Sequence, residues 1–195
     1  MIASPAVTSS SSSLRGATTS HTVLAMLLLA AVGGCLPEPN RQQQPVAVGA
    51  VAPDFTLPAA RGGSHSLTAD RGKVVLLSFL DADGTNTDDQ FEASRRQLVF
   101  LKSMHDQYAE AGLRVVVVHA GAAVPAGALT NYSYDNGLSI PLLNATTKPS
   151  VAAAFDVTSL PTTVVIDREG TLTQRWHRYV PPAQLADAIE ASLDR

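Results

Sequence analysis

Four aspartates, Asp81, Asp83, Asp88 and Asp89, fall within nine positions of FLDADGTNTDDQF, directly after the apolar run KVVLLSFL. Carboxylates this dense can ligate a divalent cation, take part in catalysis, or simply cap a helix. Counting Asp81 as the first place of a twelve-residue calcium loop puts Asp83 third, Asp89 ninth and Glu92 twelfth, all ligand places in such loops. Thr85 then takes the fifth place. Asn86 takes the sixth, where a sharp turn is needed and Asn is better tolerated than most residues. A strand rather than a helix leads in, which excludes the regular helix–loop–helix calcium motif. It leaves an irregular Ca²⁺ or Mg²⁺ site on Asp81, Asp83, Asp89 and Glu92. The competing reading needs no ligand: Asp88, Asp89 and Glu92 occupy the first turn of a helix, where the dipole and free N–H groups favour carboxylates.

The strand-end pattern Asp81-x-Asp83-Gly84-Thr85 also resembles the first motif of haloacid dehalogenase-like phosphatases. The resemblance implies Asp81 as nucleophile, Asp83 as general acid and Mg²⁺ on the phosphate. That family further uses a Ser or Thr ending the next strand, a Lys and a later acidic pair. Here the next strand ends in His119 and Ala120, and Asp167 stands alone in IDREG. The supporting members are missing.

The elements that must hold this loop can be read from the apolar pattern. DFTLPAARGGSHSLTADRGK predicts a hairpin turning at Arg61-Gly62-Gly63 and returning through Ser66-Leu67. KVVLLSFL and LRVVVVHA are continuous apolar runs, as expected of strands buried on both faces. Between them, residues 87–111 predict a helix with Phe91, Leu98, Leu101, Met104 and Tyr108 on one face, stopped by Gly112. Residues 125–136 predict a short helix, SIPLL a short strand, and residues 149–156 another short helix. TTVVID and LTQRWHRYV predict two strands joined at Arg168-Glu169-Gly170, and Pro181-Pro182 opens a last helix carrying Leu185, Ile189 and Leu193. Strands separated by helices, then a terminal hairpin and helix, predict a three-layer α/β sandwich with a mixed central sheet and an N-terminal β-hairpin extension.

The chain has 195 residues and a net charge of −3, which gives no broad electrostatic case for nucleic acid. Its start reads as a leader. A Ser/Thr-rich stretch is followed by TVLAMLLLAAVGGC, about the length of a signal-peptide core. Val32-Gly33-Gly34-Cys35 resembles the bacterial lipoprotein signal, which implies lipidation of Cys35. The expected organisation is a signal peptide over 1–34, a Pro/Gln-rich flexible tether over 35–47, and a folded domain over 48–195. Cys35 is the only cysteine of the sequence. The folded part therefore has no thiol and can form no intramolecular disulfide.

APDFTLP, the hairpin, RGKVVLLSFL, a helix, GLRVVVV, and finally FDVTSLPTTVVIDREGTL together resemble the thioredoxin-like superfamily. The nearest branch is the membrane-tethered TlpA/ResA-like redoxins, with the AhpC/TSA-type peroxiredoxins as cousins. The resemblance covers residues 48–193, and its most specific phrase is Ser159-Leu160-Pro161-Thr162-Thr163. It implies a cis Pro161 beside the redox site, with Leu160, Pro161 and Thr162 presenting backbone to a bound peptide. It also places the usual Cys-x-x-Cys at Gly84 and Thr87, and the peroxidatic Cys of a peroxiredoxin-style alignment at Asp88. Asp83 stands where a Trp is usual, and His177-Arg178 where relatives often turn on Gly. None of these positions carries sulfur, and thiol–disulfide exchange requires a thiolate.

These readings converge on a lipid-anchored protein on the extracytoplasmic side of a bacterial membrane. It is expected to be redox-inactive, to bind an envelope protein or peptide, and to need no cofactor unless the aspartate loop takes Ca²⁺ or Mg²⁺. The alternatives are a thiol–disulfide oxidoreductase role beside a Cys-bearing partner, and metal-dependent phosphatase chemistry at Asp81 and Asp83.

Overall fold

The computed structural model describes residues 44–82 and 89–195. The expected signal peptide, Cys35, most of the tether, and Asp83, Gly84, Thr87 and Asp88 lie outside them.

A five-stranded mixed sheet has the order β5–β4–β3–β6–β7. At its centre β3 (Val74–Leu80) runs parallel to β4 (Leu113–His119) and antiparallel to β6 (Thr162–Ile166). β5 (Leu142–Asn144) adds in parallel to β4, and β7 (Leu172–His177) antiparallel to β6. All seven residues of β3 are buried, as its unbroken apolar run requires of a strand covered on both faces. Its alternate side chains serve two cores. Val74, Leu76 and Leu80 meet Leu98, Leu101 and Met104 of α1 (Asp89–Tyr108) and Leu185 and Ile189 of α4 (Pro182–Leu193). Val75, Leu77 and Phe79 meet Phe55, Leu57 and Phe155 on the opposite face. The remaining β3 side chain, Ser78, bonds to the Thr163 hydroxyl at 2.8 Å, so the one polar pair across the β3–β6 ladder is satisfied.

A two-stranded hairpin of β1 (Thr56–Pro58) and β2 (Ser64–Ser66) precedes the sheet. β2 is shorter than its sequence suggests, because Leu67 already begins a single 3₁₀ turn over Leu67–Asp70. That turn buries Asp70, whose carboxylate accepts from His65 Nε2 at 2.7 Å and Arg114 Nε at 3.1 Å. The chain is already bound to the domain at Val46, whose N–H donates to the Ala154 carbonyl at 2.8 Å.

Several element ends differ from expectation, each for a local reason. α1 stops at Tyr108 rather than 111, because Ala111 and Gly112 close tighter turns onto Tyr108 and Ala109. α2 (Ala128–Asp135) starts three residues late, because Gly127 adopts φ 82°, a left-handed conformation that no helix interior contains. β5 starts at Leu142, past the ring of Pro141, which has no N–H to give a ladder. α3 (Pro149–Ala154) ends short of 156, where Asp156 takes φ 58°. β6 ends at Ile166 rather than 167, where Asp167 turns back to accept from the Thr171 N–H. β7 stops at His177, three residues before the expected end, because Arg178 takes φ 85°.

Candidate functional site

The C-terminal end of β3, the N-terminus of α1 and the loop entering β6 meet at one end of the sheet. The Leu160–Pro161 peptide is cis. Pro161 and Thr162 are buried behind it; the Thr162 hydroxyl donates to the Ser159 carbonyl at 2.6 Å, and the Pro161 carbonyl accepts from the Arg178 N–H at 2.6 Å. Leu160 alone of the three lines an open groove of about 400 Å³, whose other walls come from Asp89 and Gln90 on α1 and from Arg178 and Tyr179 after β7.

The backbone N–H of Leu160 already has a partner, the Oε1 of Gln90 at 3.2 Å. Seven residues along α1, on the same helix face, Gln97 accepts from the Val180 N–H at 2.8 Å. The two bonds differ in setting. Gln97 is fully buried, whereas Gln90 is exposed at the groove. The Tyr179 ring is held edge-on against Phe100 at 6.0 Å and carries the Arg96 guanidinium 5.1 Å over its centroid. On the loop's far side, Asp156 pairs with Arg175 at 3.2 Å and His177 at 3.6 Å, while His177 Nδ1 faces the hydroxyls of Thr158 and Thr162.

Just past the end of β3, Asp81 is buried and its N–H donates to Ser94 Oγ at 3.1 Å. His119, at the end of β4, has no exposed surface. Its Nδ1 accepts from the Ala82 N–H at 3.1 Å, so Nε2 carries the ring proton and donates to the Ala122 carbonyl at 2.9 Å. Both ring nitrogens thus serve the backbone, as a satisfied histidine at a strand end should. A Cβ on Gly121 would stand 2.7 Å from Asp81 Oδ1 and 3.0 Å from the His119 ring, so only glycine fits over this pair.

The four acids counted as cation ligands do not share one environment. Asp81 is buried among Ser94, His119 and Gly121, while Asp89 and Glu92 are exposed on the first turn of α1 and Glu92 pairs with Arg95 at 3.2 Å. Asp83 lies outside the described residues. Among those described, no group of three or more His, Cys, Asp or Glu is arranged to hold a metal ion. Gln90 and Tyr179 carry no motif that would single them out in the sequence. Arg178 left one mark there, as a departure from the glycine that the family resemblance leads one to expect.

A parallel β3–β4–β5 half, an antiparallel β6–β7 half and a cis proline opening β6 beside the start of α1 define the thioredoxin-like fold. The model of the AhpC/TSA family matches residues 48–175, and the chain belongs to that family. It is 30% identical over 155 residues to the thiol-disulfide oxidoreductase ResA of Geobacillus kaustophilus, covering 79% of this chain and 83% of that protein. ResA of Geobacillus thermodenitrificans is 32% identical over 151 residues, covering 77% and 81% respectively. Among solved structures, a thiol:disulfide interchange protein of the thioredoxin family from Chlorobium tepidum superposes with a TM-score of 0.63 at 21% identity, covering 76% of this chain and 99% of its own.

Proposed function

We propose that this chain is a thiol-free relative of the ResA-type oxidoreductases, serving as a peptide- or protein-binding module tethered to the bacterial cell envelope through lipidated Cys35. The observation that carries the reading is the groove beside Pro161, with the Leu160 N–H at its wall, in a sequence whose only cysteine lies at position 35. Thiol–disulfide exchange passes through a mixed disulfide and needs a sulfur nucleophile on the protein. Gly84, Thr87 and Asp88 supply none. Capture of an extended chain needs only main-chain donors and acceptors at an accessible edge.

The test is a titration of the full chain with S-carbamidomethylated insulin B chain, an extended polypeptide whose thiols are blocked. Binding that shifts the backbone amide signals of Leu160 and Arg178 supports the reading. Absence of any shift at millimolar peptide contradicts it. A second reading is favoured by the oxidoreductases among the relatives: a role in thiol exchange beside a partner that brings the cysteines. It predicts that a Cys-bearing partner is needed for any turnover, whereas the first reading predicts binding with every thiol blocked.

A further inference from the structure

Arg178 is an anomaly that the fold does not require. Two residues other than glycine adopt positive φ among those described, Asp156 at 58° and Arg178 at 85°, and they flank the loop that carries Pro161. Asp is one of the residue types that tolerate this conformation, and Asp156 is further held by Arg175 and His177. Arg178 has neither excuse. Its side chain is exposed, lines the groove, and makes no ion pair or side-chain hydrogen bond among the described residues. Its backbone N–H is anchored to the Pro161 carbonyl, which fixes the turn whatever side chain stands there. Glycine would adopt that turn without strain. A strained position occupied by a long cation at the lining of a groove points to something the cation meets there.

The groove's other polar group indicates the rest of the ligand. Gln90 Oε1 is an amide carbonyl, the same acceptor as a peptide carbonyl, and it sits on the Leu160 N–H. Gln97 makes the equivalent bond from a fully buried position, where nothing can replace it. Gln90 is exposed, so an incoming main-chain carbonyl can take its place at little cost. The groove's charge is uneven. Among the described residues that line the groove, the charged ones are Arg178 and Asp89, and the charge of Asp89 is offset by the free N–H groups of the helix it begins, while the Arg96 guanidinium stacks on the lining ring of Tyr179.

We propose that this groove takes an extended acidic peptide, one of whose carbonyls displaces Gln90 from the Leu160 N–H while a carboxylate pairs with Arg178. The proposal rests on the peptide-binding reading above and adds to it the charge of the partner and the two residues that select it.

The probes are two blocked hexapeptides, one alternating threonine with glutamate and the other threonine with lysine, titrated into the full chain at low salt. With a net charge of −3, the molecule as a whole attracts the lysine peptide. A preference for glutamate must therefore be local. The expected result is tighter binding of the glutamate peptide by about fivefold, the upper range for a partly exposed ion pair, with the Leu160 amide shifting on binding. Arg178→Gly should erase the preference while leaving Tm unchanged or raised, since glycine relieves the positive φ. Gln90→Ala should tighten both peptides. Equal binding of the two peptides, or a glutamate preference that survives Arg178→Gly, overturns this inference and leaves the peptide-binding reading standing. If neither peptide binds, both fail.

Discussion

Gly121 is the residue at which the least change should have the largest effect. It lacks a side chain because Asp81 and His119 occupy the space: the Asp81 side chain is buried, and His119 is held by both ring nitrogens to the backbone of Ala82 and Ala122. Gly121→Ala therefore places a methyl well inside contact distance of a buried carboxylate. Overpacking of this kind costs about 1–3 kcal/mol, which at this chain length lowers Tm by several degrees. An unchanged melting temperature would show that the cluster is looser than its distances indicate. Sequence alone marked Asp81 as a ligand or nucleophile and placed His119 at the end of a strand. It could not pair them, since the contact joins the ends of two strands thirty-eight positions apart, and nothing in AGAAVPAG distinguishes Gly121 from a flexible glycine. Arg178 was visible only as a departure, because its meaning lies in a backbone angle.

The elements themselves were legible where one period ran unbroken. β3, β4 and α1 follow from their apolar patterns because burial on both faces, or on one helical face, leaves little choice of residue. Their ends were less so, because a left-handed Gly127, Asp156 or Arg178 stops an element without changing its hydropathy. Side-chain hydrogen bonds between elements were not legible. α1 and α4 are joined by the Tyr108 hydroxyl, which donates to Glu190 Oε1 at 2.6 Å. The hydrogen bond to Glu190 holds the phenol proton, and burial and the charges of Glu190 and Asp187 add to the effect, so the Tyr108 pKa is raised above its ordinary value of 10.0. A folded-state pKa above the unfolded one gives stability that is present below pH 10 and lost as pH rises through the folded value. Tyr108→Phe should lower stability at neutral pH by about 1 kcal/mol, the usual worth of one such bond. It should also flatten the alkaline decline seen in unfolding midpoints above pH 10. A variant with the same alkaline slope as the wild type would mean that Glu190 does not hold that proton.

At the scale of the whole molecule, the scaffold is complete. The sheet is covered on both faces by two separate cores, the cis proline stands at the entrance to β6, and a groove opens beside it. This much was legible because the phrase SLPTTVVIDREG and the order of strands and helices constrain the topology strongly. What the scaffold does was not, since the residues that distinguish a catalyst from a binding module are single positions rather than patterns. The relatives are thiol-disulfide oxidoreductases, and the chemistry their names describe needs a sulfur that this sequence carries only at Cys35. The most direct measurement is therefore the reduction of insulin by dithiothreitol in the presence of the full chain. The expected result is precipitation of insulin at the same rate as without protein. Reduction faster than that control would contradict it and return the chain to the catalysts of its family.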